Sequence, residues 1–229
     1  AGEAATHVGN GPFKIDTWEH KSKLVLVKND SYWDKDAVKL DRIEFSMVGD
    51  ENTELSMFEN GELDWAGSPT SALPTDAIPA LKDQGKMTTK PIAGTYWYKF
   101  NTEKPPFNNI KIRKAFAYSI DRKSLIDNIL QTGQIPATGA VPPSMALKGD
   151  GYFKDNDLEA AKTLLQEGMK ELGITKLPAI TLSYNTSEAH KKIAEAIQDQ
   201  WKKNLGVEVK LENKEWKVYL EDLHAGNYQ

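Results

Sequence analysis

Apolar residues recur at strand spacing through much of residues 1–93. Phe13–Trp18 and Lys23–Lys28 are two such runs joined by polar residues, which predicts a hairpin. In Leu40–Val48, Ile43, Phe45 and Met47 point one way while Arg42, Glu44 and Ser46 point the other. Asn52–Asn60 has helical character and stops at Gly61, and Leu63–Trp65 then reads as a short buried strand. Leu73–Gln84 reads as a helix in spite of Pro74 and Pro79. Met87–Asn101 is strand-type again, with Thr95, Tyr96, Trp97, Tyr98 and Phe100 all favouring a pleated surface.

Beyond Lys104-Pro105-Pro106, which forces an extended link, the apolar period changes to that of a helix. Asn108 or Asn109 can cap a helix carrying Ile112, Ala115 and Phe116. Asp121 can cap the next one, with Leu125, Ile129 and Leu130 on its apolar side. Residues 133–156 are rich in Pro and Gly and form a long irregular loop. Asp157 opens a helix with Leu158, Ala161, Leu164, Leu165 and Leu172 in one stripe, ended by Gly173. A strand at Ile180–Tyr184 follows, then a helix capped by Ser187 and ended by Gly206. Trp201 lies mid-stripe on that helix between Ile197 and Leu205, a core position. Val207–Leu211 alternates as a strand and Lys214–His224 closes the series as a helix. Strand–helix–strand units of this kind give an α/β fold of mixed sheets with flanking helices. The division expected is 1–93 and 94–229. Asn227-Tyr228-Gln229 reads as the start of a further β segment, so the chain is expected to be a piece of a longer protein, incomplete at both ends.

The chain has 229 residues, 39% hydrophobic and 27% charged, enough to bury a core. A net charge of -4 gives no reason to expect nucleic acid or an anionic membrane as partner. The longest apolar runs, such as Leu24–Val27, are far too short to cross a bilayer. Cysteine is absent, which removes disulfides, thiolate metal sites and cysteine catalysis. Ala1–Ala5 lacks the basic and apolar regions of a signal peptide and reads as an internal start.

Enzyme constellations are missing. The histidines at 7, 20, 190 and 224 have no second ligand at helical metal spacing. No HExxH, GxSxG, P-loop or dinucleotide fingerprint occurs. Val8–Pro12 is glycine-rich but leads into a strand, so it is no phosphate cradle. The expectation is a protein that is not an enzyme and needs no cofactor or metal.

A series of short motifs points to a family. Val8–Phe13 resembles a GTGPY motif, and Leu24–Trp33 resembles L-x-x-N-x-x-Y-W. Phe58–Asp64 is similar to G-E-I-D. Phe100-Asn101 through Pro106–Asn109 and Ile112–Ala115 resembles N-x-x-x-P-P-F-x-D-x-R-V-R-x-A, and Ile120-Asp121-Arg122 follows it. Each match is weak alone, but their order and spacing resemble the extracytoplasmic solute-binding proteins of the oligopeptide-binding type, in the dipeptide, oligopeptide and nickel group. Tyr184–Ser187, His190–Lys192, Trp201–Val207 and Glu215-Trp216 are similar to the oligopeptide branch in particular.

This resemblance implies a periplasmic-binding-protein-like (type II) fold, parts of whose two lobes would be 1–93 and 94–229. It also implies a monomer that captures peptides outside the cytoplasm for the permease subunits of an ABC importer, either free in a periplasm or as a lipid-anchored lipoprotein. The same fold could instead serve nickel, a dipeptide, or a signalling peptide without transport. Such proteins enclose an extended peptide between lobes, holding its backbone by strand-like hydrogen bonds and its side chains in hydrated pockets. In the family, an aspartate beyond the equivalent of residue 229 pairs with the peptide's amino terminus, so this chain alone is expected to bind poorly.

The resemblance also marks site residues. Gly67 and Ser68 fall on a ligand-facing loop, where glycine would admit a peptide backbone; a plain turn is the other reading. Trp97 falls where a ring lines a side-chain pocket, with core packing the alternative, and alternation sets Tyr96 and Tyr98 on the opposite face. Lys99 shares the Trp97 face and sits where some relatives carry an acid, so it would favour acidic ligand side chains. His190, in the first turn of its helix, matches a histidine that reaches the peptide carboxylate, and a helix N-terminus favours the same group; a surface role is the alternative. Asn185 matches a pocket position or a turn former. Trp216 and His224 match pocket positions on the last helix, against a core role for the tryptophan.

Overall fold

The computed structural model describes residues 3–147 and 149–229. They divide into two compact units, one ending at Leu73 and one running over Pro74–Gln229.

In the first unit, β1 (Phe13–Glu19), β2 (Lys23–Lys28) and β3 (Arg42–Ser46) form an antiparallel sheet in chain order. The predicted hairpin is present. Its turn uses Lys21 at φ +63°, and the register slips between Ile15 and Thr17, which accommodates Asp16 as an extra residue. β3 keeps the predicted alternation, with Ile43 and Phe45 half-buried and Arg42, Glu44 and Ser46 exposed. Helix α1 (Glu51–Glu59) is capped by Asp50, whose carboxylate accepts from both Thr53 N and Thr53 Oγ1 at 2.8 Å.

The second unit holds the main core. Helices α3 (Ile110–Tyr118), α5 (Leu158–Glu171) and α6 (Glu188–Leu205) enclose it with strands β4 (Ile180–Asn185) and β5 (Val209–Lys214). β4 and β5 are parallel neighbours joined by α6, a strand–helix–strand crossover. Phe100, Phe107, Phe116 and Trp201 form a ladder of rings with centroids 4.6, 5.1 and 4.9 Å apart. Trp201 is 3% exposed and donates from Nε1 to Phe116 O at 3.0 Å, which confirms its core position. Asn109, Asp121, Asp157 and Ser187 all act as caps, the second for α4 (Arg122–Leu125), which runs on as a π-helical turn over Ile126–Leu130. Loop 133–156 is fastened to this region by Arg122, which pairs with Asp155 at 2.8 Å and lies over the Phe153 ring. The last helix, α7 (Trp216–Ala225), follows β5.

Four expectations differ from the structure. The units part at 73/74 rather than 93/94. The predicted helix at 73–84 is a 3-10 turn (Thr75–Ala77) leading into α2 (Ile78–Asp83), and it belongs with the second unit: Lys192 Nζ donates to Thr75 Oγ1 at 3.0 Å and Asp76 Oδ2 at 2.6 Å, and Lys82 donates to Gln131 O. Leu63–Trp65 is not a strand; Trp65 is 67% exposed and its indole donates to Ser68 O. Residues 87–101 are not a strand either. Strand propensity only takes effect where a neighbouring strand supplies the ladder. Among the described residues the main-chain bond of Asn101 N goes to Gln229 O, and the Gln229 amide in turn bonds Thr181 N and Ala179 O at the start of β4.

Candidate functional site

Parallel strands present their carboxyl ends at one edge, where the chain must turn into the following helices. In the second unit, that edge gathers several of the residues marked from the sequence. Asn185 ends β4 directly opposite Lys214 at the end of β5. Thr186 N then bonds Lys214 O at 2.9 Å, and Ser187 turns the chain into α6. Glu215 caps α7 by accepting from Lys217 N, so Trp216 opens that helix at the same edge. The first turns of α6 and α7, with their outward N–H groups, therefore sit beside each other's strands.

His190 lies in the first turn of α6, half-buried, with its own N–H bonded to Ser187 Oγ. Its Nδ1 is 2.8 Å from Tyr96 Oη, and the two rings stack with centroids 5.4 Å apart at 18°. Tyr96 in turn meets Tyr98 edge-on at 5.8 Å. Tyr98 packs against the core, and its hydroxyl is buried with no hydrogen-bond partner among the described residues. Burial raises the pKa of both phenols, most strongly that of Tyr98, where neighbouring Tyr96 adds to the effect. Both hydroxyls are therefore protonated donors at neutral pH. Trp216 stacks on Tyr219 at 5.9 Å and 18°.

Lys214 closes the edge electrostatically. Its ammonium bonds Asp222 at 2.7 Å and Glu212 at 3.0 Å. The Asp222 contact is the larger cause of its raised pKa, and the same lysine holds the Glu212 and Asp222 carboxyls below their ordinary values. With one ammonium between two carboxylates, the cluster keeps one net negative charge.

The sequence-marked residues are placed as follows. Trp97 is 60% exposed and Trp216 54%, so neither is a core residue. Lys99 is exposed and Tyr98 turns inward, but Tyr96 is 52% exposed like its neighbour Trp97, so the alternation expected of a strand is not kept. Asn185, His190 and Trp216 share the carboxyl edge, and Tyr96 brings the chain next to Trp97 there. His224 does not join them: it is exposed near the far end of α7, eight positions and roughly 12 Å of helix rise from Trp216. Gly67 and Ser68 belong to the first unit. Gly67 has φ +91°, and its N–H already serves Glu54 Oε1 at 3.0 Å and Ser71 Oγ at 2.9 Å, which gives the turn reading a physical cause. Residues the sequence did not single out are Tyr96, Tyr98, Tyr219 and Lys214. The alternation about Trp97 was the available signal for the first two, but their contact with His190 joins positions 94 residues apart. Among the described residues no three His, Asp or Glu side chains group to hold a metal, and no helix is long and apolar enough to cross a membrane.

The family model for bacterial extracellular solute-binding proteins, family 5 Middle, matches residues 1–229. The chain belongs to that family. It is 54% identical to the oligopeptide-binding protein OppA of Bacillus subtilis over 231 residues, covering 97% of this chain and 42% of that protein. Among solved structures, an oligopeptide-binding protein of Borrelia burgdorferi (OppAIV) is matched with a TM-score of 0.88 and 35% identity, over 99% of this chain and 44% of that one. Haemophilus influenzae OppA in complex with the peptide RPPGFSPFR is matched at 0.84 and 30%, over 99% and 45%. The chain thus spans less than half the length of these family-5 relatives. The predicted α/β, periplasmic-binding-protein-like class is the one these solved structures share, and the relatives named here are binding proteins.

Proposed function

We propose that this chain is part of the peptide-capturing component of an ABC importer, working outside the cytoplasmic membrane, and that the carboxyl edge of β4 and β5 contacts the peptide. The observation that carries the reading is the His190 imidazole, held against Tyr96 in the first turn of α6 and set beside exposed aromatic rings in a chain 54% identical to an oligopeptide-binding protein. The helix N-terminus and the imidazole both favour a carboxylate, and a peptide always ends in one. Trp97 and Trp216 offer flat apolar surface that accepts many side chains without selecting one. Binding by main chain and terminal charge, with water filling the remainder, suits a receptor of broad preference. Delivery to permease subunits as a monomer, without catalysis, completes the reading.

Calorimetry of the full-length protein with a mixed tripeptide pool tests it. Wild type should release binding heat, and His190→Ala should weaken affinity by roughly tenfold or more, the usual cost of a hydrogen bond to a charged group. Absence of binding heat, with nickel or another solute binding instead, would overturn the reading.

A further inference from the structure

We propose that Asn10 is a site of spontaneous covalent modification: the main-chain nitrogen of Gly11 closes on its side-chain amide, and the resulting succinimide opens to aspartate or isoaspartate. The same dipeptide at Asn60-Gly61 is held unreactive by its place at the end of α1. The sequence contains Asn-Gly twice, at 10–11 and at 60–61. Asparagine is thermolabile, and most so before glycine, where no Cβ stands beside the attacking nitrogen to obstruct it. Both asparagines are exposed, so access does not separate them.

The backbone separates them. At Asn60 the chain leaves α1 in a Schellman closure: Gly61 N donates to Phe58 O at 3.1 Å and Glu62 N to Met57 O at 2.8 Å, with Gly61 at φ +78°. The attacking nitrogen is thus engaged, and at ψ -4° it eclipses the Asn60 nitrogen rather than Cβ. Ring closure there needs a large turn about the Cα–C bond and the loss of both hydrogen bonds. Asn10 lies outside any helix or strand, just before β1. Among the described residues neither its side chain nor the Gly11 N–H has a hydrogen-bond partner. Gly11 is fixed through its carbonyl instead, which accepts from Asn29 Nδ2 at 2.9 Å. The reaction needs only water. Gly11 N bonds to Asn10 Cγ as the Cγ–Nδ2 bond breaks, and the Gly11 proton leaves with the departing ammonia. Water then opens the ring at the side-chain carbonyl, giving aspartate, or at the main-chain carbonyl, giving isoaspartate and one more carbon in the main chain ahead of β1. Either product adds one negative charge.

Peptide mapping by mass spectrometry decides this, on the full-length protein aged in mildly alkaline buffer. Asn10 should gain the mass of an amide-to-acid conversion about tenfold or more faster than Asn60, the population cost of opening two net hydrogen bonds. In guanidinium chloride the two should convert at similar rates, because the dipeptide is the same and the closure at α1 is gone. Gly11→Ala places a Cβ beside the nitrogen, and that Cβ meets nothing within 4 Å, so the fold accommodates it. The variant should slow Asn10 several-fold and leave Asn60 unchanged. Asn60 converting as fast as Asn10 in the folded protein, or an Asn10 rate unmoved by Gly11→Ala, overturns the proposal. So does an Asn10 that stays intact in the folded protein over a time that converts it in denaturant, which would mean that the rest of the full-length chain covers it. None of these readouts depends on peptide binding, so the proposal stands or falls apart from that reading.

Discussion

Tyr98 presents the clearest conflict at the scale of a single residue. Its ring packs with the core, yet its hydroxyl has no hydrogen-bond partner among the described residues. A buried unsatisfied hydroxyl costs about 1–3 kcal/mol, so Tyr98→Phe is expected to hold or raise stability at pH 7 by up to that amount, read as a higher Tm. The pH dependence has a definite sign. Burial raises the folded-state pKa, so the folded form binds the phenol proton more tightly than the unfolded chain does. That contribution is whole below about pH 10, the ordinary tyrosine value, and is lost as pH rises above it. Thermal melts between pH 7 and 11 should therefore show a steeper alkaline loss in wild type than in Tyr98→Phe. An equal slope in the two proteins would mean that the hydroxyl meets water. Lys99, which is exposed, makes a different kind of prediction. Lys99→Glu should shift relative affinity in the full-length protein from tripeptides with acidic side chains towards basic ones, by no more than about fivefold because exposed charge pairs are worth about 1 kcal/mol or less. Calorimetry with matched Asp- and Lys-containing tripeptides checks it, and an unchanged ratio rejects a selective role for Lys99.

Elements are held by their ends and by one close approach. Gly168 on α5 faces α3 so closely that an added Cβ would meet Ile112 Cδ1 at 2.8 Å and Asn109 Oδ1 at 3.0 Å. Ile112 is fully buried and Asn109 is the α3 cap, accepting from Lys111 N at 2.8 Å, so neither yields freely. Gly168→Val is expected to cost about 1–3 kcal/mol through overpacking. Gly168→Ala should cost less, because alanine recovers close to 1 kcal/mol of helix propensity. Asn109→Ala removes the cap and a 2.8 Å bond to Glu171, for a loss of about 1 kcal/mol. Chemical denaturation ranks the three, and a valine variant as stable as wild type would disprove the tight contact. These helices were legible in the sequence because each carries its own stripe, cap and stop: Asp157 before Leu158, Ser187 before Glu188, Gly206 at φ +68° after Leu205. The parallel pair β4–β5 was legible because α6 between them is a complete crossover. Residues 87–101 were misread because a strand is a property of two segments, and propensity in one does not supply its neighbour. The candidate site divides in the same way. Asn185, His190 and Trp216 were marked by the family resemblance, and the ends of β4, α6 and α7 are what bring them to one edge, whereas the Tyr96–His190 contact depends on tertiary packing that no local pattern encodes.

On the scale of the whole molecule, the two units are unequal in what they bury. Within residues 1–73 the one fully buried hydrophobic side chain among the described residues is Val25, while Val8, Trp33, Leu40, Met47 and Trp65 are exposed. A three-stranded meander and one short helix with so little covered apolar surface cannot offset the conformational entropy of ordering them. The second unit contains a continuous cluster from Phe107 to Val209, joined by Phe100, Leu164 and Leu205 at its margin. It also includes α2, whose Ile78 and Leu81 are buried. The division at 73/74 therefore separates a segment dependent on its surroundings from one with its own core. Residues 74–229 expressed alone should give a single cooperative thermal transition with helical circular dichroism, and residues 1–73 alone should give none. Cutting at 93/94 instead removes the buried Ile78 and Leu81 together with the Lys192 bonds to Thr75 and Asp76, so residues 94–229 should melt at a lower temperature than residues 74–229. Burying two aliphatic side chains contributes about 3–6 kcal/mol at most, which is enough to move the midpoint measurably in a domain of this size. Equal midpoints for the two fragments would show that α2 adds nothing to the second unit, and would return the boundary to the position the sequence pattern indicated.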